Sequence, residues 1–198
     1  MKETVIDQTQ LEQGFLHTWL CDRYTTLELE LGCGLGDFIC EIARYNEHKR
    51  FIGVDINQES CEEAAYKVRT QRLSNVSIVN YEAYAFMSQY VQSNSLAAIH
   101  IYFPTPDPPR PGAFKRLVSH KLAEEVYRAL RGGGILRVVT DLQEYFSYIS
   151  KCFSDPRWWH TAWASPVPNV QHEGLLLNTG CERKYGREGE VFSIQAVK

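Results

Sequence analysis

Apolar and polar residues alternate from Thr25 to Leu31, and the run stops at Gly32, which predicts a strand. Phe38, Ile39, Ile42 and Ala43 then recur at helical spacing between Asp37 and Tyr45. The same switch of period repeats down the chain. Strands are predicted at Arg50–Ile56, Val76–Asn80, Leu96–Phe103 and Ile135–Thr140. Helices are predicted at Glu59–Arg72, Tyr84–Val91, Lys121–Leu130 and Leu142–Phe153. Leu96–Phe103 is nearly all apolar, as in a strand buried on both faces. Leu11, Phe15, Trp19 and Leu20 suit a short amphipathic helix, and Leu175–Lys198 holds two last strands, notably Val191–Val197. Residues 154–174 give no readable period. Strands alternating with helices imply a parallel sheet covered on both faces, with a ligand crevice at the carboxyl ends of the strands.

Five of the 8 prolines lie between Pro104 and Gly112, so this segment is a stiff loop rather than helix or central strand. The 198 residues read as one domain, 1–198, large enough for a core without staples. The longest apolar run spans eight residues, whereas a membrane helix needs about 20, so no membrane partner is expected. The start of the chain is too polar for a secretory leader, and the expected compartment is the cytoplasm. Six cysteines without a CxxC pair argue for free thiols and no metal site. The net charge of −3 provides no field for nucleic acid, so any such contact needs a local basic patch.

Glu30-Leu-Gly32-Cys-Gly34-Leu-Gly36-Asp37 joins a strand to a helix. Its glycines permit positive φ and close approach of a ligand to the backbone. Asp55 ends the next strand, where a carboxylate can accept from ribose hydroxyls. A tight turn without ligand, a nicotinamide dinucleotide and another nucleoside cofactor all suit a glycine loop alone. The GxGxG spacing, with an acid two residues before it, resembles the S-adenosylmethionine (AdoMet) site of Rossmann-like methyltransferases. That resemblance implies Gly32, Gly34 and Gly36 against the cofactor and Glu30 toward its methionine end. It further implies Asp55 on the ribose, Asn80, Glu82 and Ala83 around the adenine, and Tyr102 nearby.

His100-Ile-Tyr-Phe-Pro-Thr-Pro106 is followed by Lys115-Arg-Leu-Val118, by Thr140-Asp141, and by Thr179-Gly-Cys-Glu182. Together these resemble the bacterial tRNA (guanine-7)-methyltransferase family over about residues 27–198. The resemblance implies an α/β Rossmann-like methyltransferase fold, a mostly parallel seven-stranded sheet with helices on both faces. It implies tRNA as partner, Thr105, Asp107, Asp141, Thr179 and Glu182 as catalytic candidates, and Arg110, Lys115, Arg116 and Arg183 as tRNA contacts. The chain departs from the family pattern at Thr105, where the family has Asp, and in a loop with fewer basic residues. Those departures motivate two rival readings: methylation of a small or other non-tRNA acceptor, and a silent AdoMet-binding partner subunit. His100 is expected to be a packed, hydrogen-bonded residue, and Trp158, Trp159 and Trp163 to cover the sheet edge.

Overall fold

The computed structural model describes residues 5–12, 14, 26–106, 116–158 and 192–198 in full, and 159–164, 170–172 and 175–177 by backbone. The chain runs α1 (Gln8–Glu12), β1 (Thr26–Leu31), α2 (Asp37–Tyr45), β2 (Lys49–Asp55), α3 (Gln58–Thr70), β3 (Val76–Asn80) and α4 (Ala83–Tyr90). It continues through β4 (Leu96–Tyr102), α5 (His120–Ala129), β5 (Leu130–Thr140) and α6 (Gln143–Cys152). The last strands are β6 (Trp159–Ala164), β7 (Val170–His172), β8 (Leu175–Leu177) and β9 (Phe192–Val197).

The main sheet has seven strands in the order β3-β2-β1-β4-β5-β9-β6, with β7 and β8 forming a separate pair. β1 to β5 pair in parallel, and β9 enters antiparallel between β5 and β6. Six of these strands are described with their side chains and β6 by backbone alone. The expected mostly parallel sheet is therefore present. Its order reverses between β1 and β4, which places the crevice where their carboxyl ends diverge.

Helices cover both faces. Leu27, Leu29 and Leu31 pack with Phe86 of α4, Val126 of α5 and Ile149 of α6. On the opposite face, Phe38, Ile39 and Ile42 of α2 pack with Ala64 of α3, Phe51 and Ile78. β1 is buried on both sides, so its alternation is not a solvent face: Glu28 and Glu30 are 3% and 4% exposed.

Three boundaries differ from expectation. β5 begins at Leu130 rather than Ile135, because a register shift against β4 between Leu96 and Ala98 absorbs Gly132, Gly133 and Gly134. β6 falls in the stretch that lacked a readable period. Leu11 is buried in a helix of five residues, while Phe15, Trp19 and Leu20 lie outside the described residues. Trp158 is buried edge-on against Tyr127 and Phe153, as expected for a packing residue. Trp159 and Trp163 belong to β6, known by its backbone only. Among the described residues, no helix is long and apolar enough to cross a membrane.

Candidate functional site

The loop from β1 to α2 turns at three glycines with φ of 78°, 49° and 73° at Gly32, Gly34 and Gly36. The Gly32 and Cys33 amides both donate to the Val54 carbonyl, at 2.8 and 3.1 Å. Gly36 is the N-cap of α2 and lies against α3: a Cβ there would stand 2.8 Å from the Ala64 Cβ. The glycine here is a packing requirement as well as a conformational one.

Asp55 ends β2 and holds this loop. Its Oδ2 accepts from the Gly34 amide at 2.8 Å and its Oδ1 from the Asn57 amide at 2.8 Å. The Asp55 carbonyl in turn accepts from the Asn80 side chain at 3.1 Å and from the Tyr81 amide at 3.0 Å. Glu82 caps α4, accepting from the Tyr84 and Ala85 amides at 3.1 and 2.7 Å, and Ala83 is buried behind it. The expected ribose and adenine segments are thus adjacent, and Asn80 and Glu82 act on the backbone that shapes them.

Glu30 sits between the loop and α2. The Ile39 amide hydrogen-bonds its carboxyl, whereas Oε2 is buried without a partner. Burial first, then the charges of Asp55 and Asp37, push the Glu30 carboxyl well above its ordinary range. A buried carboxylate oxygen with no donor carries a desolvation penalty that a cationic ligand group relieves. This unpaired acceptor fits AdoMet, whose methionine end bears an ammonium to donate.

The next shell inward is a polar chain that sequence reading did not join up. Lys49 Nζ lies 3.0 Å from Glu28 Oε1, Glu28 Oε2 lies 2.9 Å from His100 Nε2, and His100 Nδ1 lies 3.1 Å from the Tyr102 hydroxyl. All four side chains are buried. Its legible signal was His100 in an apolar strand, whereas Glu28 was hidden in the alternation of β1. His100 is the packed, hydrogen-bonded residue expected of it. Tyr102 also packs edge-on against Phe38, with ring centroids 4.3 Å apart.

Phe103, next in the chain, takes φ of 48°, a conformation rare for a bulky side chain. Its amide donates to the Val139 carbonyl at 2.8 Å, and Thr105 is exposed two residues later. Asp141 is exposed at the end of β5, where buried Thr140 Oγ1 accepts from the Leu142 amide at 3.3 Å. Thr105 and Asp141 therefore stand at the exits of neighbouring strands. Arg116 is directed back to the Pro106 carbonyl at 2.6 Å. Asp107, Arg110, Lys115, Thr179, Glu182 and Arg183 lie outside the described residues. Cys33, Cys40, Cys61 and Cys152 are buried free thiols.

A family model described as "Putative methyltransferase" matches residues 25–189. The chain belongs to this family. A protein from Rubrobacter xylanophilus named tRNA (guanine-N(7)-)-methyltransferase is 31% identical over 133 residues, 67% of this chain and 59% of the relative. One of the same name from Geobacter metallireducens is 33% identical over 119 residues, 60% of this chain and 56% of the relative. The chain spans about half the length of the curated relatives it matches. The solved structure of 16S rRNA methyltransferase KamB superposes with a TM-score of 0.65 at 14% identity, covering 100% of both chains. Precorrin-6y C5,15-methyltransferase from Geobacter metallireducens superposes with a TM-score of 0.63 at 12% identity, covering 100% of this chain and 92% of the other. At such identities the likeness is one of fold.

Proposed function

We propose that this family member is an AdoMet-dependent methyltransferase, one domain over residues 1–198, that methylates guanine N7 of tRNA in the cytoplasm. The observation that carries the cofactor reading is the unpartnered, buried Oε2 of Glu30 beside three positive-φ glycines. The acceptor reading is supported by the relatives' names and by the motifs at Phe103–Pro106 and Thr179–Glu182.

Bound AdoMet supplies an electrophilic methyl group on a sulfonium. Glu30 would hold the ammonium and Asp55 the ribose, and the backbone braced by Asn80 and Glu82 would border the adenine beside Ala83. The glycine loop lets backbone come close where any side chain would intrude. Guanine N7 is a lone-pair nucleophile with no proton to lose, so the chain would need no strong base there. Its task is to orient the base and exclude other approaches. Thr105 and Asp141, at neighbouring strand exits, accept from the guanine edge, with Asp107, Thr179 and Glu182 as further candidates. Arg110, Lys115 and Arg183 contact phosphate, which positions tRNA without reading its sequence.

Purified protein incubated with methyl-labelled AdoMet and an unmodified tRNA transcript tests this directly. Nucleoside mass spectrometry is expected to find labelled 7-methylguanosine. AdoMet binding by calorimetry, with no label in any tRNA nucleoside, would reject the acceptor and favour a non-tRNA substrate. Absence of AdoMet binding would reject the cofactor as well.

A further inference from the structure

We propose that Arg116 is a positioning residue that ties the exit of β4 to α6 and so sets where Thr105 stands; this rests on the acceptor reading above. The exit is hard to hold by ordinary means. Pro104 and Pro106 have no N–H, so the segment can be anchored chiefly through its carbonyls, and these require a donor. Arg116 Nε supplies it to the Pro106 carbonyl at 2.6 Å. The guanidinium face meanwhile lies over aromatic rings of α6, with Cζ 4.1 Å from the Tyr148 centroid and 5.3 Å from that of Tyr145. Tyr145 and Tyr148 are one helical turn apart, with ring centroids 6.1 Å apart and planes inclined by 23°.

The geometry calls for arginine specifically. A planar guanidinium donates in its plane while its face stacks on a ring, whereas a lysine ammonium is a point charge that cannot do both. Upstream, Phe103 holds a positive φ, which persists only where surrounding contacts over-determine the backbone. Its amide is tied to β5 through Val139, and Pro106 is tied to α6 through Arg116. Thr105 lies between those anchors. Motion at the anchors would move the acceptor relative to the methyl donor, and a misplacement of about 1 Å there can cost roughly a hundredfold in rate.

The test compares Arg116→Lys, Arg116→Gln, Tyr148→Leu and Tyr148→Phe. Three readouts are used: kcat and KM with tRNA, the salt dependence of tRNA binding, and hydrogen exchange of residues 99–106. Arg116→Lys and Tyr148→Leu are each expected to lower kcat by roughly tenfold or more. Both should speed exchange at 99–106, leaving the salt slope unchanged. Their combination should cost little more than either alone, and Tyr148→Phe, which keeps the ring but loses the hydroxyl that hydrogen-bonds Arg116, should fall between wild type and Tyr148→Leu. If Arg116→Lys is wild type in kcat and exchange while Arg116→Gln flattens the salt slope by about one, Arg116 is a phosphate contact and the proposal is wrong. Exchange requires neither fully intact chemistry nor tRNA. Unchanged exchange in Arg116→Lys and Arg116→Gln overturns the proposal whatever the acceptor, while altered exchange in a protein inert toward tRNA overturns only the acceptor reading.

Discussion

The Gly34 amide donates to Asp55 Oδ2 at 2.8 Å, so the acid that ends the second strand grips the middle of the glycine loop. Asp55 is therefore both a candidate ribose acceptor and a brace for the turn against which the cofactor lies.

Asp55→Ala removes the acceptor for the Gly34 and Asn57 amides together with any ribose contact. AdoMet affinity should fall by about 1.5–3 kcal/mol, the range for hydrogen bonds to a charged group. Calorimetric titration measures this, and unchanged affinity would reject the placement.

Glu30 links stability to pH. Its carboxyl is pushed well above the ordinary 4.5 by burial and by the Asp55 and Asp37 charges. From about pH 4.5 up to that raised value, the folded chain keeps a proton that the unfolded chain has released. Stability from this group thus falls as pH rises through the window. Glu30→Gln should match wild type near pH 4 and be more stable near pH 8 by about 1–3 kcal/mol, the cost of a buried unsatisfied group. It should also bind AdoMet more weakly. Parallel stability curves for the two proteins, from thermal melts across pH, would contradict this.

Gly34 and Gly36 should respond differently to alanine. A Cβ at Gly34 meets open space, so only the φ of 49° is strained, at about 1–2 kcal/mol. At Gly36 the φ of 73° is combined with a 2.8 Å approach to Ala64, which forces α2 and α3 apart. That substitution should cost about 2–5 kcal/mol. Urea denaturation midpoints compare the two, and equal losses would mean that the α3 contact is soft.

tRNA binding should depend only modestly on salt. The net charge is −3, and the stretch after β4 offers Arg110 and Lys115, with Arg183 and Lys184 nearer the end of the chain. Each phosphate contact contributes a slope of about −0.9 on duplex, so these four give about −4 and the total should be no steeper than about −3 to −5. Pro109→Lys with Ala113→Lys should tighten binding and steepen the slope by up to about two. Filter binding of unmodified tRNA across a salt series decides this; a wild-type slope near −8 would reveal a larger basic surface.

Local period, glycine spacing and strand-end acids were sufficient to read the elements from β1 to β4, the switch-point crevice and the glycine loop and Asp55 as parts of one candidate site. Those features are set by neighbours along the chain: side-chain alternation and helical repeat follow from backbone geometry. Tertiary structure decided what pairing across long separations decides. It turned the apparent polar face of β1 inward, bringing Glu28 to Lys49 and His100 and leaving Glu30 Oε2 without a donor. It slid β9 between β5 and β6, and it let a register shift carry β5 through three glycines. It also set Arg116, which as a sequence symbol is one more basic residue, onto two tyrosines and a proline carbonyl. Charge is legible residue by residue, but what a charge faces depends on the packing of segments distant in sequence.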